Sequence, residues 1–395
     1  MEYKFSDGIA ALKPSMIREI LKSAGPGVIP LAAGNPAPDA FPVSDVREIA
    51  GDLLENNPVL ALQYGITEGY APLVAELEKM CRERYGIFTD DDAVIVTSGA
   101  QQVMSLLSHT VLNNGDVVIC EDPAFIGALN CFRAFGARLV GVPVEADGMN
   151  IAALEEALKN EPDAKFIYTI PNFQNPAGIT TSLEKRKAIY ELAKKYGVLI
   201  LEDNPYGETR VAGEDVPCIK TLDDEGIVVY SGSFSKIVAP GIRVGFACAN
   251  KKLLAKMTVV KQTQDVHTPV MSQYIVYKWL TACDFEGHIQ KIRDIYRRKL
   301  NLMCECIDRE LGDYVEYVRP EGGLFVWCRL ADRINMKDFC SKAAAAGVTV
   351  VPGIAFLCDE SADTQFIRLN FSTPTDEGIV KGLKILGELA RSYDK

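Results

Sequence analysis

The stretch "KFIYTIPNFQNPAGITTSLEKRKAIYELAKKYGVLILEDNPYGE", Lys165–Glu208, decides the fold. Two nearly continuous apolar runs, "KFIYTIP" and "VLILEDN", flank an amphipathic segment, "SLEKRKAIYELAKKYG". Ser182 opens that segment as an N-cap and Gly197 closes it, so a helix is predicted between two strands. From about residue 90 the pattern recurs, with strand-like runs "AVIVTSG", "DVVICED", "RLVGVPV", "IVVYSGS" and "VGFACAN". Apolar runs alternating with helices predict an α/β fold, a mostly parallel sheet sandwiched by helices. Beyond Asn250 the pattern turns helical, and a smaller α+β region follows with strands "GLFVWCRL" and "QFIRLNFS" and a closing helix "TDEGIVKGLKILGELARSY". The expected division is 1–45 for an N-terminal arm and small-domain segment, 46–282 for a large domain, and 283–395 for a C-terminal small domain.

The totals narrow the function. A chain of 395 residues with 48% hydrophobic content reads as a well-packed globule. Its net charge of −11 argues against a nucleic-acid partner. No run reaches the roughly 20 apolar residues that cross a bilayer, and "MEYKFSDGIAALK" has no secretory pattern, so a cytoplasmic protein without a membrane partner is expected. The 11 cysteines form no CxxC and lie partly in strand-like runs, as reduced buried thiols do. Cys304 and Cys306 point different ways on a predicted helix, and only 3 histidines are present. No metal site is expected.

In an α/β sheet, chemistry gathers where strands end and helices begin. "YSGSFSKIVAPGIRVGF", Tyr230–Phe246, places Ser233, Ser235, Lys236 and Arg243 at one such end. Hydroxyls and a guanidinium suit a phosphate. The lysine is then either a further ligand of it or an amine that bonds to a carbonyl. "VTSGAQQ" opens a helix after Ser98, Gly99 and Ala100, where free N–H groups attract an anion. "VLILEDNPYGE" ends in Glu202, Asp203 and Tyr206. "TIPNFQNPAG" offers Asn172 and Asn175, and "ICEDPAF" offers the ring of Phe125. Each alone reads better as an ordinary turn or core residue. Together they match the needs of pyridoxal 5′-phosphate.

On these motifs the chain resembles the fold-type-I, class I pyridoxal-phosphate aminotransferases, and within them the 2-aminoadipate, kynurenine and lysine-biosynthesis group. The resemblance runs through "SMIREIL", "LAAGNPAPDAFP", "ALQYGITEGYAPL", "TSGAQQ", "PNFQNPAG", "EDNPY", "GSFSKIVAPGIRVGF", "DVHTP", "PEGGLFVW" and "FIRLNFS". It implies that Lys236 forms the Schiff base, that Asp203 pairs with the pyridine nitrogen, and that Asn175 and Tyr206 bind the phenolic oxygen. Phe125 would stack on the ring, where relatives commonly have tyrosine. The phosphate would be held by Gly99, Ala100, Gln101, Ser233, Ser235 and Arg243, with Tyr64 reaching in from the neighbouring subunit of a homodimer. Ala100 stands where close relatives often carry serine.

For the substrate, the resemblance implies that Arg368 grips the α-carboxylate and that Gly34 brings backbone close to it. Ala33-Gly34-Asn35 replaces a more apolar sequence, which leaves the substrate range open. Arg18 matches an arginine that meets a distal carboxylate, and it reads equally well as a solvated helix charge. The implied reaction is ping-pong: Lys236 moves the α-proton to the cofactor, a 2-oxo acid leaves, and a second one, 2-oxoglutarate, accepts the amino group. Expected donors are 2-aminoadipate, glutamate, and aromatic or branched-chain amino acids. A β-lyase on the same scaffold is the alternative within enzymes. A ligand-sensing domain of a transcriptional regulator is the alternative outside them.

Overall fold

A computed structural model describes residues 3–23, 25 and 27–394 of the chain. The seven predicted strands are present: β1 Asp92–Thr97, β2 Val117–Asp122, β3 Arg138–Glu145, β4 Phe166–Thr169, β5 Leu199–Asn204, β6 Val228–Ser233 and β7 Gly245–Asn250. They lie in one sheet in the order β1-β7-β6-β5-β4-β2-β3, with Gly148–Met149 added at the β3 edge. The β3-β2-β4-β5-β6 pairs are parallel, and β7 runs antiparallel to both β1 and β6. Burial on both faces explains the unbroken apolar runs; every residue of β4 is buried.

The helix that opened the reading spans Leu183–Tyr196. The Ser182 hydroxyl accepts from Lys185 N, and Gly197 takes the left-handed conformation at φ 69° that ends a helix. The three other crossover helices are Ala100–Val111, Ile126–Ala134 and Ile151–Asn160.

A second sheet is built from β8 Val315–Tyr317, β9 Phe325–Leu330, β10 Val351–Pro352 and β11 Phe366–Asn370, in the order β8-β9-β11-β10. Against it pack the long helix Phe285–Leu311 and the closing helix Asp376–Arg391. On the long helix Ile289, Ile292, Tyr296, Leu300, Met303, Ile307 and Leu311 are buried, a spacing of three to four that forms one apolar stripe. The Pro- and Gly-rich N-terminal stretch carries two short helices, Asp7–Ala11 and Met16–Ser23, of which only the second was anticipated. It then joins the C-terminal part of the chain. Ile29–Pro30 pairs in parallel with Val348–Thr349, and Leu31 O accepts from Asn370 N at 2.8 Å. That docking carries Ala32–Asn35 to the gap between the sheets.

The cysteines are unbridged; Cys131, Cys283, Cys340 and Cys358 are half-buried and the others buried. Among the described residues no helix is long and apolar enough to cross a membrane.

Candidate active site

The C-terminal ends of β1, β4, β5 and β6 converge, and side-chain alternation sorts what they present. Consecutive strand residues face opposite sides of the sheet. Glu202 turns one way, where its carboxylate accepts from Ile219 N and Lys220 N, each at 2.8 Å. Asp203 turns the other way and is 2% exposed. Its Oδ2 accepts from Tyr168 OH at 3.1 Å, while Oδ1 has no partner among the described residues. Burial pushes this carboxyl up to about 7, with Tyr168 and the nearby Ser231 pulling back. A buried acceptor with an open lone pair asks for a proton donor or a cation.

Lys236 follows β6, and its Nζ donates to Gly34 O at 2.9 Å, 6.0 Å from the centre of the Tyr206 ring. Among the described residues no carboxylate pairs with it. Burial, with Arg368 and Arg243 adding repulsion, lowers this amine to about 8. A lysine at that value is available as a base near neutrality.

Arg368 enters from β11 and is 2% exposed. Nη1 donates to Asn175 Oδ1 and Nη2 to Ala32 O, both at 2.9 Å, and Nε has no partner among the described residues. The guanidinium lies 4.1 Å from the centre of the Phe325 ring and 5.0 Å from that of Phe356. A buried cation held only by neutral oxygens and aromatic faces is incomplete without an anion.

A third cluster forms around the turn after β1. Gly99 has φ 81°, and a Cβ there would come 2.3 Å from Arg243 Nη2, so only glycine admits the arginine. Arg243, itself left-handed at φ 51°, donates to Ser98 O at 3.1 Å and Ser235 Oγ at 3.4 Å. Ser233 Oγ accepts from Ser235 N at 3.2 Å. Gly99 N donates to Thr97 O at 2.8 Å and Gln102 N to Gly99 O at 3.0 Å, while the Ala100 and Gln101 N–H groups, in the first turn, have no acceptor within the helix. Gln101 is exposed and donates to Gly127 O at 2.8 Å. Phe125 caps the Ile126–Ala134 helix and lies over Gly127, where a Cβ would meet its ring at 2.4 Å.

Two predicted residues lie outside this convergence. Tyr64 is 81% exposed, with its ring edge-on to His267 at 5.8 Å. Arg18 is exposed on the Met16–Ser23 helix. Other residues escaped the sequence reading. Phe325 and Phe356 sandwich Arg368, and Tyr168 holds Asp203. Glu121 is buried at the end of β2 and accepts from Thr169 Oγ1 at 2.5 Å, Ile170 N at 3.2 Å and Gln174 Nε2 at 3.0 Å. It thereby fixes the turn that carries Asn175. Its position in "ICEDPAF" was the available signal, overshadowed by Phe125.

An open acceptor on a buried acid, an amine without an acid partner, an aromatic face, and an anion-ready turn under Arg243 form a donor set that pyridoxal 5′-phosphate fits. This arrangement on this sheet defines an enzyme that works through that cofactor. Comparison with known proteins agrees. The family "Aminotransferase class I and II" matches residues 26–386, and the chain belongs to it, as a pyridoxal-phosphate-dependent aminotransferase of fold type I. It is 41% identical over 399 residues to aromatic-amino-acid aminotransferase 1 of Thermococcus litoralis, covering 100% of this chain and 95% of that one. The solved kynurenine aminotransferase of Pyrococcus horikoshii superimposes with TM-score 0.95 at 37% identity, over 99% of this chain and 98% of that one. The α-aminoadipate aminotransferase of Thermus thermophilus, complexed with N-(5′-phosphopyridoxyl)-L-leucine, gives TM-score 0.90 at 35% identity over 98% and 97%.

Proposed function

We propose that the chain moves the α-amino group of an aromatic amino acid or 2-aminoadipate to 2-oxoglutarate by a ping-pong sequence. The observation that carries this is the shared anchoring of amine and guanidinium. Lys236 Nζ rests on Gly34 O and Arg368 Nη2 on Ala32 O, two residues apart on one segment. A group held by Arg368 through its α-carboxylate therefore presents its α-carbon to Lys236.

When bound, pyridoxal 5′-phosphate supplies an aldehyde for the amino group and a ring that takes up the electron pair freed at the α-carbon. Asp203 Oδ1 keeps the ring nitrogen protonated by offering it an ionised oxygen in a dry site. Lys236 Nζ, lowered to about 8, would take up the proton of the α-carbon and hold it as the general base and acid of the transfer. Arg368 binds the carboxylate through two nitrogens, with Asn175 and the Ala32 carbonyl keeping the guanidinium in plane. Tyr206 and Asn175 would bind the cofactor through their hydroxyl and amide, and Phe125 would supply an aromatic surface for it. Ser233, Ser235, Arg243, Gln101 and the Gly99–Ala100 turn hold the phosphate.

Donor preference follows from the wall beside Arg368. Trp327, Val351 and Phe356 form an apolar cluster there, against which Met16, Ile17, Ile20, Phe125 and Phe366 pack. The relatives named above for aromatic amino acids, kynurenine and α-aminoadipate support the same range. Arg18 lies on the helix that closes this wall and serves the acidic donors. Tyr64 completes the phosphate site of a second subunit. Val59, Leu62 and Ile66, exposed beside it at 74%, 77% and 61%, supply the contact surface of a homodimer. Sedimentation of the purified chain checks the dimer.

A panel of amino donors with 2-oxoglutarate, followed by the cofactor absorbance change with each donor, tests the reading. Donors should rank phenylalanine, kynurenine and 2-aminoadipate above alanine. No absorbance change with any of them would remove it. Arg18→Ala should raise KM about 3- to 5-fold for acidic donors, the size of an exposed ion pair, and leave leucine unchanged. An equal rise for leucine would take Arg18 out of recognition.

A further inference from the structure

Beneath the phosphate turn lies a second buried lysine that the reaction does not use. Lys261, on the Lys251–Gln264 helix, is 0% exposed. Its Nζ donates to Gln102 Oε1 at 2.8 Å, to Asp265 Oδ1 and Oδ2 at 2.9 and 3.1 Å, and to Thr268 Oγ1 at 3.1 Å. Both main acceptors pass the constraint to one residue. Gln102 Oε1 also accepts from Ser98 N at 2.8 Å, and Asp265 Oδ2 accepts from Ser98 Oγ at 2.7 Å. The third polar atom of Ser98, its carbonyl, is taken by Arg243 Nη2 at 3.1 Å. Ser98 is thus held at N, Oγ and O, and the Gly99–Ala100 turn hangs directly from it.

The far side of the cluster is equally fixed. Val266 follows Asp265 at φ 64°, a conformation that a β-branched residue adopts only when its surroundings impose it. Asp265 N and Val266 N both donate to Lys261 O, at 3.1 and 3.2 Å, and His267 N donates to Asp265 O at 2.7 Å. Burial alone would raise the Asp265 carboxyl, yet bonds from Lys261 and Ser98 hold it below its ordinary range. Lys261 is fully buried while Asp265 keeps 27% of its side chain exposed, and burying a charge in such a pair is a poor way to gain stability, because an apolar side chain of the same volume often does as well or better. What such a pair provides is a fixed geometry, and here that geometry ends at the phosphate turn.

We propose that Lys261 is a positioning residue for cofactor phosphate: through Gln102 and Asp265 it sets Ser98, and Ser98 with the Gly99 turn aims the N–H groups of Ala100 and Gln101. The inference rests on the proposed reading of that turn as the phosphate site. A loss of positioning should therefore be felt by the phosphorylated cofactor and not by pyridoxal, which lacks the phosphate.

The test uses cofactor-free full-length protein titrated with pyridoxal 5′-phosphate and, separately, with pyridoxal, following cofactor absorbance. Lys261→Met should weaken pyridoxal 5′-phosphate about tenfold or more and leave pyridoxal within about twofold. Ser98→Ala, which removes the links of Ser98 Oγ to Asp265 and to Thr268 Oγ1 (3.1 Å) but keeps the one at Ser98 N, is gentler on folding; it should give a selective loss of about threefold and decides the matter if Lys261→Met does not fold. Lys220→Met removes an equally buried lysine far from the turn and should change neither affinity. Equal losses for both ligands, or no loss with either variant at the turn, would overturn the proposal. Arg243→Leu separates it from its foundation. If that variant loses affinity for the phosphorylated form while Lys261→Met and Ser98→Ala do not, the site stands and the positioning role falls. If Arg243→Leu loses none, the phosphate reading goes and takes the inference with it.

Discussion

Lys220 and Lys236 bracket the same strand, β6, and are treated in opposite ways. Before the strand, Lys220 is 3% exposed and meets Asp92 at 2.8 Å and Asp223 at 2.7 Å. Burial alone would lower this amine, but the two aspartates outweigh it and the group is raised. After the strand, Lys236 donates to a backbone carbonyl, faces the Tyr206 ring and two repelling arginines, has no carboxylate partner among the described residues, and is lowered to about 8. The contrast separates scaffold from site. Where the fold needs a charge it supplies matched acids, as it does for Lys220. Where the proposed reaction needs a base, at Lys236, it withholds them. Asp203 repeats the pattern with the opposite sign, since its open oxygen has no partner among the described residues.

The largest effect expected from this comparison is on turnover. Lys236→Ala should lower kcat by about 10⁴-fold or more, because the proposed proton transfer is assigned to this amine alone. Cofactor should still bind through the phosphate turn, Asp203 and Phe125. Single-turnover absorbance with a good donor checks it, and near-normal amino transfer would remove Lys236 from the mechanism. Lys220→Met should do the reverse. It leaves Asp92 and Asp223 buried without their counter-charge, which costs about 3–5 kcal/mol of stability. Urea unfolding measures that loss, and the folded fraction should turn over at the normal rate. A matching fall in kcat would mean that the two ends of β6 are not independent.

How far the sequence revealed this depends on range. The strands, the crossover helices and the residues at strand ends were legible, because burial on two faces leaves unbroken apolar runs and caps leave local marks such as Ser182 and Gly197. Lys236, Asp203, Arg243 and Arg368 stood out through motif order. The Lys220 cluster did not, since Asp92 and Lys220 are joined only by the tertiary fold and each reads alone as a surface charge. Glu121, Lys261 and the aromatic pair around Arg368 were hidden for the same reason: their roles are contacts between segments far apart in the chain. Arg18 shows the other limit. Its placement on an exposed helix face is visible in both sequence and structure, yet neither contains the distal carboxylate it would meet.

The smallest expected effect is also the most direct test of the contrast, because it reads the two amines through the pH dependence of folding. In cofactor-free protein the Lys236 amine titrates at about 8 when folded and near the ordinary 10.5 when unfolded. Between those values the unfolded chain binds the extra proton, so stability from this group rises with pH across that window. The slope has a ceiling of about 1.4 kcal/mol per pH unit for one proton and should fall below it for a half-buried group. Lys220 has the opposite sign. Its folded value lies above 10.5, so its contribution is fully present below 10.5 and is lost as pH rises through the raised value. Urea midpoints of the wild type, Lys236→Met and Lys220→Met at pH 7.5, 8.5 and 9.5 (~ values spanning the lower window) should therefore diverge in one case only. Wild type and Lys220→Met should run parallel across this range, while Lys236→Met should lose the rise. If Lys236→Met keeps the wild-type slope, the amine is not held low by its surroundings, and the distinction between a withheld and a supplied counter-charge fails at the site where it matters most.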